Sequence, residues 1–201
     1  MKEYLDLVAH VLDHGSTRVT RNGTVRSVFG VRCEYDCASS FPLLTTKFVS
    51  WKTVLKELLW FIAAGTTTDG VGSKIWDGNA TRAFLDARRL SHYKEGELGP
   101  IYGYQWRHAG ATYPDKSGGI DQLQQCIDLI RKDPNSRRIV MTAWNPMDIP
   151  KMALPPCHVM VQFYCRGETL DLQMYQRSGD VALGIPYNIA SYAFLLYMVA
   201  H

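Results

Sequence analysis

From Ile189 to Ala200 the chain reads IASYAFLLYMVA, apolar on nearly every side of a helix opened by Pro186, whose fixed φ suits a first turn. A helix without a polar face must be buried all round, so the rest of the chain has to form layers over it. The segment then stops at His201 with no glycine and no cap, and the expectation is a chain that is incomplete at its C-terminus. At 201 residues, 46% hydrophobic and 20% charged, there is enough sequence for one sizeable core, and no Gly/Ser/Pro-rich linker divides it. One domain over residues 1–201 is expected.

Other segments alternate between helical and extended patterns. EYLDLVAHVLDH places Leu5, Val8 and Leu12 at helical spacing before Gly15. SWKTVLKELLWFI is the clearest helix: Ser50 can cap it, and Trp51, Val54, Leu55, Leu58, Leu59 and Ile62 form its stripe up to Gly65. Further helices are predicted over 79–90 and 120–132. Strands are predicted over 138–144, 158–165 and 169–176, the last two joined at RGE. SVFGVRCEYDC alternates without fault and predicts another strand, with Phe29, Val31, Cys33, Tyr35 and Cys37 on one face.

The net charge of +3 is too small to argue for nucleic acid as the main partner, but it permits a local anion site. Five cysteines without a CxxC pair suggest neither a disulfide framework nor a zinc site. On the predicted strand Cys33 and Cys37 would lie roughly 13 Å apart, too far to bridge. No charged-then-apolar leader and no membrane-length apolar run is present, so a reducing, cytoplasmic setting is expected, with nucleus and mitochondrion left open.

The candidate chemistry centres on Cys157, which follows Pro155 and Pro156 and opens an alternating run. Either it is a small buried thiol at the start of a strand, or the prolines hold a nucleophile in place. His158 is a poor dyad partner, because adjacent strand residues point to opposite faces, and is read as structural or supporting. Glu57 lies at the edge of the apolar stripe of its helix. A desolvated carboxyl there would suit acid/base work, although spacing alone favours a side chain reaching solvent. Arg21, Arg137, Arg138 and Arg177 sit at loop–strand junctions without an acidic block, which leans towards a phosphorylated small substrate. Trp76, Tyr102 and Trp106 lie near glycines where a flat ligand could stack. On spacing alone, core packing is the better reading for the tryptophans.

The blocks FPLLTTK, ELLWFI, IWDGN, GPIYGYQWRH, DPNSRRIVMTAWNP, MALPPCH, YQRSGD and LGIPYNIASYAFL, taken in order, resemble thymidylate synthase over nearly the whole chain. The resemblance implies an α/β (α+β) two-layer sandwich with helices packed on a mixed β-sheet. It also implies a homodimer that converts dUMP to dTMP with 5,10-methylenetetrahydrofolate as co-substrate and with no metal. In that frame Cys157 adds to C6 of the uracil, Arg177 favours its thiolate, Glu57 assists proton transfers, Tyr102 supports proton removal at C5, and Asp180 and Asn188 complete the catalytic set. Arg21, Gln176, Arg177, Ser178, Gly179, Asp180 and Asn188 would bind the nucleotide, with Arg137 and Arg138 reaching in from the other subunit. Trp76, Asp180, Leu183, Gly184 and Tyr187 would face the folate.

A carboxamide at Asn188 can donate to O4 and accept from N3–H, so the chain reads uracil rather than cytosine. Two positions depart from the family pattern: the loop TRNGT is one residue shorter, and Tyr187 stands where phenylalanine is common. The family continues beyond the last helix, in keeping with the expected C-terminal loss. The rivals are a dUMP hydroxymethylase using the same cysteine addition, and a catalytically incomplete fragment that dimerises or binds RNA as a secondary partner.

Overall fold

The computed structural model describes residues 1–20 and 23–201. In chain order the elements are α1 (Lys2–His14), β1 (Ser16–Thr20), β2 (Gly23–Ser27), α2 (Trp51–Ile62), α3 (Arg82–Ala87), α4 (Tyr102–His108), α5 (Gln122–Lys132), β3 (Val140–Thr142), β4 (His158–Arg166), β5 (Thr169–Gln176) and α6 (Gly184–Ala200). Arg21 lies outside the described residues.

Local chemistry explains most boundaries. The Ser50 hydroxyl accepts the Thr53 N–H and starts α2, the Asp121 carboxylate accepts the Gln124 N–H and starts α5, and the Thr81 hydroxyl accepts the Phe84 N–H at the head of α3. The helix predicted over 79–90 shrinks to α3 because Arg89 turns to a positive φ of 61° just beyond it. The β4–β5 hairpin turns at Gly167, whose φ is 61°.

The three-stranded sheet has order β3-β4-β5, and its inner rows pair Met141 with Val161, Val161 with Met174, and Phe163 with Leu172. This face meets α4, α5 and α6, and α2 packs across α4 and α6, so the helices form one layer and the sheet another. Val161, Phe163, Met141, Phe61, Leu58 and Trp106 are among the buried residues that join the layers. A smaller apolar cluster ties α1 through Tyr4 to Leu44, Val49, Val54 and Ala190.

Three expectations need correction. Residues 29–37 form no strand: Phe29 is 96% exposed, and no β-ladder among the described residues includes that stretch. Alternation supplies two faces, but a strand also needs a partner for its backbone groups. The segment is instead strapped to α6, where the Tyr197 hydroxyl donates to the Cys37 carbonyl at 2.6 Å and Phe41 packs on Phe194 at 4.4 Å. Next, the sheet expected to be mixed contains only antiparallel pairs among the described residues. Finally, α6 is buried as expected through Leu195, but Tyr197 and Met198 in its last turns are 39% and 40% exposed. Two elements also escaped the sequence reading, the β1–β2 ladder and the buried helix α4.

Candidate active site

Cys157 sits where the chain leaves two prolines and enters β4, and both sides of its backbone are held. Its N–H donates to the Tyr102 hydroxyl at 2.7 Å, and its carbonyl accepts the Arg177 N–H at 2.9 Å. The prolines contribute through their carbonyls: Pro156 accepts Arg177 Nε at 2.7 Å and Pro155 accepts Arg177 Nη2 at 2.9 Å. That grip brings Nη2 to 3.8 Å from Cys157 Sγ, and the guanidinium carbon lies 5.5 Å from the centre of the Trp144 ring. The Cys157 sulfur thus faces a permanently charged group.

Tyr102 belongs to α4 and is buried at 3% exposure, stacked at 4.8 Å on Phe61 of α2. Burial pushes its phenol well above the ordinary range, so it stays protonated and can support a proton transfer without becoming a phenolate. Because its oxygen accepts the Cys157 N–H, its own O–H remains to be donated.

Glu57 faces inward, against the reading from spacing alone. Trp76 Nε1–H donates to its Oε1 at 2.8 Å, and burial raises the carboxyl to about 7, with the indole bond opposing the shift. Trp76 is 7% exposed and packs within 6.0 Å of Tyr102, as the core reading expects. Trp106 is plain core at 2% exposure.

His158 lies between the rings of Tyr102 and Tyr192 at 4.9 and 5.3 Å and bonds the Asn188 side chain. Burial drops it to about 4, so the imidazole that supports Asn188 is neutral. Asn188 is itself buried, on the first turns of α6. The loop before α6 is built by Asp180, whose carboxylate accepts the N–H groups of Ala182 and Leu183, each at 2.8 Å. The Tyr4 hydroxyl donates to Val181 O at 3.0 Å and secures the same loop from α1.

The structure thus brings together Cys157, Arg177, Tyr102, Glu57, Trp76 and Asn188. Gln176 Nε2 donates to Ser178 O, and a Cβ on Gly179 would meet the Ile185 side chain at 2.5 Å, so both shape the turn that follows Arg177. Leu183 is 66% exposed, Gly184 opens α6, and Tyr187 packs in the smaller cluster. Arg137 and Arg138 stand exposed ahead of β3, and among the described residues no hydrogen bond, ion pair or ring contact links their side chains to Cys157 or Arg177. Trp144 was missed. The only available signal, a tryptophan just after a strand, says nothing about what it stacks on.

Two cavities, of about 170 Å³ beside Arg107 and Asp121 and about 420 Å³ beside Tyr93 and Tyr113, open elsewhere and are not lined by Cys157. Among the described residues no group of three or more His, Cys, Asp or Glu is placed to hold a metal ion, and no helix is long and apolar enough to cross a membrane.

The chain is an α+β domain in which a guanidinium faces a cysteine sulfur and a buried carboxyl is raised to about 7. The profile of the thymidylate synthase family matches residues 2–201, and the chain belongs to that family. It is similar to thymidylate synthase of Bos taurus (53% identity, 99% of this chain, 59% of that protein) and of Homo sapiens (52%, 99% and 66%). It is also similar to the bifunctional dihydrofolate reductase-thymidylate synthase of Zea mays (50%, 98% and 40%). The chain spans about three fifths of the length of the first two relatives.

Proposed function

We propose that this chain carries the catalytic domain that methylates dUMP to dTMP with 5,10-methylenetetrahydrofolate. The observation that carries the reading is Cys157, pinned at its N–H by Tyr102 and faced at its sulfur by Arg177, in a member of this family. C5 of uracil is a weak nucleophile until something adds at C6. The Cys157 thiolate forms that bond, the ring electrons move towards O4, and C5 becomes reactive. Once C5 carries the one-carbon unit, loss of the C5 proton and cleavage of the C6–S bond return Cys157 as thiolate. When bound, the folate supplies the one-carbon unit and the hydride that completes the methyl group.

The remaining work falls to the chain's own side chains. Glu57, at about 7, exchanges a proton near neutral pH, where a general acid/base is most effective. Tyr102 donates its O–H to the proton path at C5. Asn188, held by neutral His158, reads O4 and N3–H of uracil. Arg177 and Ser178 take the phosphate with Arg21. Asp180 shapes the loop on which exposed Leu183 meets the folate, beside Gly184 and Tyr187. Trp76, buried on Glu57, serves that side by fixing the carboxyl.

The partner in this reading is a second copy of the chain. The outer row of the sheet leaves Met160, Tyr164 and Tyr175 38%, 55% and 52% exposed, interleaved with Gln162, Gln173 and Asp171, a mixed face on which a second copy could pack. Arg137 and Arg138, exposed next to that sheet, would complete the other subunit's phosphate site. Five free cysteines accord with a reducing cytoplasmic setting. A hydroxymethylase would use the same addition at C6. The relatives reported above all carry the synthase name, which favours methylation.

The test is intact mass under denaturing conditions after incubation with 5-fluoro-dUMP and methylenetetrahydrofolate. The fluorine cannot leave as a cation, so a working site stalls as a covalent adduct. An adduct on the wild type and none on Cys157→Ala is expected. No adduct on either would overturn the reading in favour of an inactive fragment. Dihydrofolate formed with dUMP distinguishes methylation from hydroxymethylation, and light scattering reports the dimer.

A further inference from the structure

We infer that Trp144 is the positioning residue for Arg177, and through it for the guanidinium that faces Cys157. The inference rests on the reading of Cys157 as nucleophile and adds to it a residue with no contact to the sulfur.

Arg177 is solvent-exposed, and its side chain is held by two carbonyls, Pro156 on Nε and Pro155 on Nη2. Both lie along one edge of the planar guanidinium. Two bonds along one edge act as a hinge: they fix where that edge lies but leave the plane free to tilt about it. Tilting would first lose the longest contact, Nη2 to Cys157 Sγ at 3.8 Å. The Trp144 ring supplies the missing constraint by lying against the guanidinium at 5.5 Å, an attraction between a cation and a π face.

Trp144 is built for such a role. It belongs to neither apolar core and stands half-buried just after β3. The backbone around it is anchored, so its ring is delivered to one place. Its own N–H donates to Thr142 Oγ1 at 3.1 Å, and the Ala143 N–H donates to Val159 O at 2.9 Å. The Asn145 side chain donates to Gln105 Oε1 at 3.2 Å and Asp148 Oδ2 at 3.0 Å. These bonds survive any substitution of the ring.

The test compares alkylation of Cys157 by anionic iodoacetate and neutral iodoacetamide, read on the Cys157 peptide by mass spectrometry. The rate ratio of the two reagents reports a cation at the sulfur and cancels changes in general access. Arg177→Ala sets the value without that cation. Trp144→Leu and Trp144→Met should move the ratio about threefold towards that value, the scale of one exposed cation–π contact. Trp144→Phe, which keeps a π face, should stay near the wild type. A wild-type ratio in both aliphatic variants, or no effect of Arg177→Ala, would overturn the inference. The 5-fluoro-dUMP adduct on the wild type reports separately on the nucleophile, so failure of that reading and failure of this contact are distinguishable.

Discussion

Trp76 and Glu57 are joined by a single bond, indole Nε1–H to carboxylate Oε1 at 2.8 Å, and burial outweighs it, leaving the carboxyl at about 7 instead of 4.5. The fold therefore binds this proton more tightly than the unfolded chain does. Stability falls as pH climbs from about 4.5 to about 7 and changes no further above that, a loss of about 3 kcal/mol. Glu57→Gln removes the charge and keeps an acceptor for the indole. Urea unfolding should show the variant more stable than wild type near pH 8 and level with it near pH 4.5. Under the proposed function, in which Glu57 carries a proton, turnover of dUMP should fall about a hundredfold. Equal stabilisation at both pH values would refute the assignment.

His158 has the opposite sign. Its folded value of about 4 lies below its ordinary 6.5, so stability is present above about 6.5 and is lost as pH falls towards 4. Between about pH 4.5 and 6.5 the two groups nearly cancel in the wild type. His158→Asn should expose the Glu57 slope, with stability declining as pH rises through that window. Glu57→Gln should expose the reverse. Parallel stability–pH curves for the two variants would contradict both placements.

Tyr102→Phe keeps the ring on Phe61 and removes the acceptor of the Cys157 N–H. A buried donor left without a partner costs about 1–3 kcal/mol, which in a chain of this length lowers Tm by several degrees, about 2–4 °C for each kcal/mol. Adduct formation with 5-fluoro-dUMP should slow as well, because the nucleophile loses one of its two backbone anchors. Unchanged Tm and unchanged adduct rate together would remove Tyr102 from the site.

Gly103 permits α4 to lie against α2. A Cβ there would stand 2.3 Å from the Phe61 carbonyl oxygen and 2.9 Å from its Cα, backbone atoms that cannot swing away. Alanine is favoured over glycine in a helix by about 1 kcal/mol, whereas forcing the helices apart costs about 1–3 kcal/mol and shifts Tyr102 with them. Overpacking should win, and Gly103→Ala should lower both Tm and adduct rate. Gly118→Ala, with open space around it, is the neutral control.

The elements readable in the sequence are those whose pattern is closed within a dozen residues. Ser50 and Asp121 cap α2 and α5 as local donors and acceptors require, and β4 and β5 follow from their alternation and the turn between them. The stretch 29–37 shows the limit of such patterns. Its alternation is as regular as that of β5, but a ladder depends on a second strand that no local pattern contains. The helix α4 hid behind its glycine for a similar reason, since Gly103 is explained only by Phe61 across the helix pair.

For the site, the sequence by itself determined the membership: Cys157 behind two prolines, arginines without local acidic partners, and the ordered blocks of one family. Tertiary structure alone decided what each group does there. Helical spacing put Glu57 at the margin of a stripe and pointed it to solvent, while packing turned it onto Trp76 and raised its carboxyl to about 7. The prolines proved to matter through their carbonyls, which grip Arg177 at the sulfur while Trp144 lies against its plane. Periodicity assigns a residue to a face of its own element. What that face meets, and so whether a proton or a thiolate is stabilised there, depends on residues distant in sequence that only the fold brings within a few ångströms.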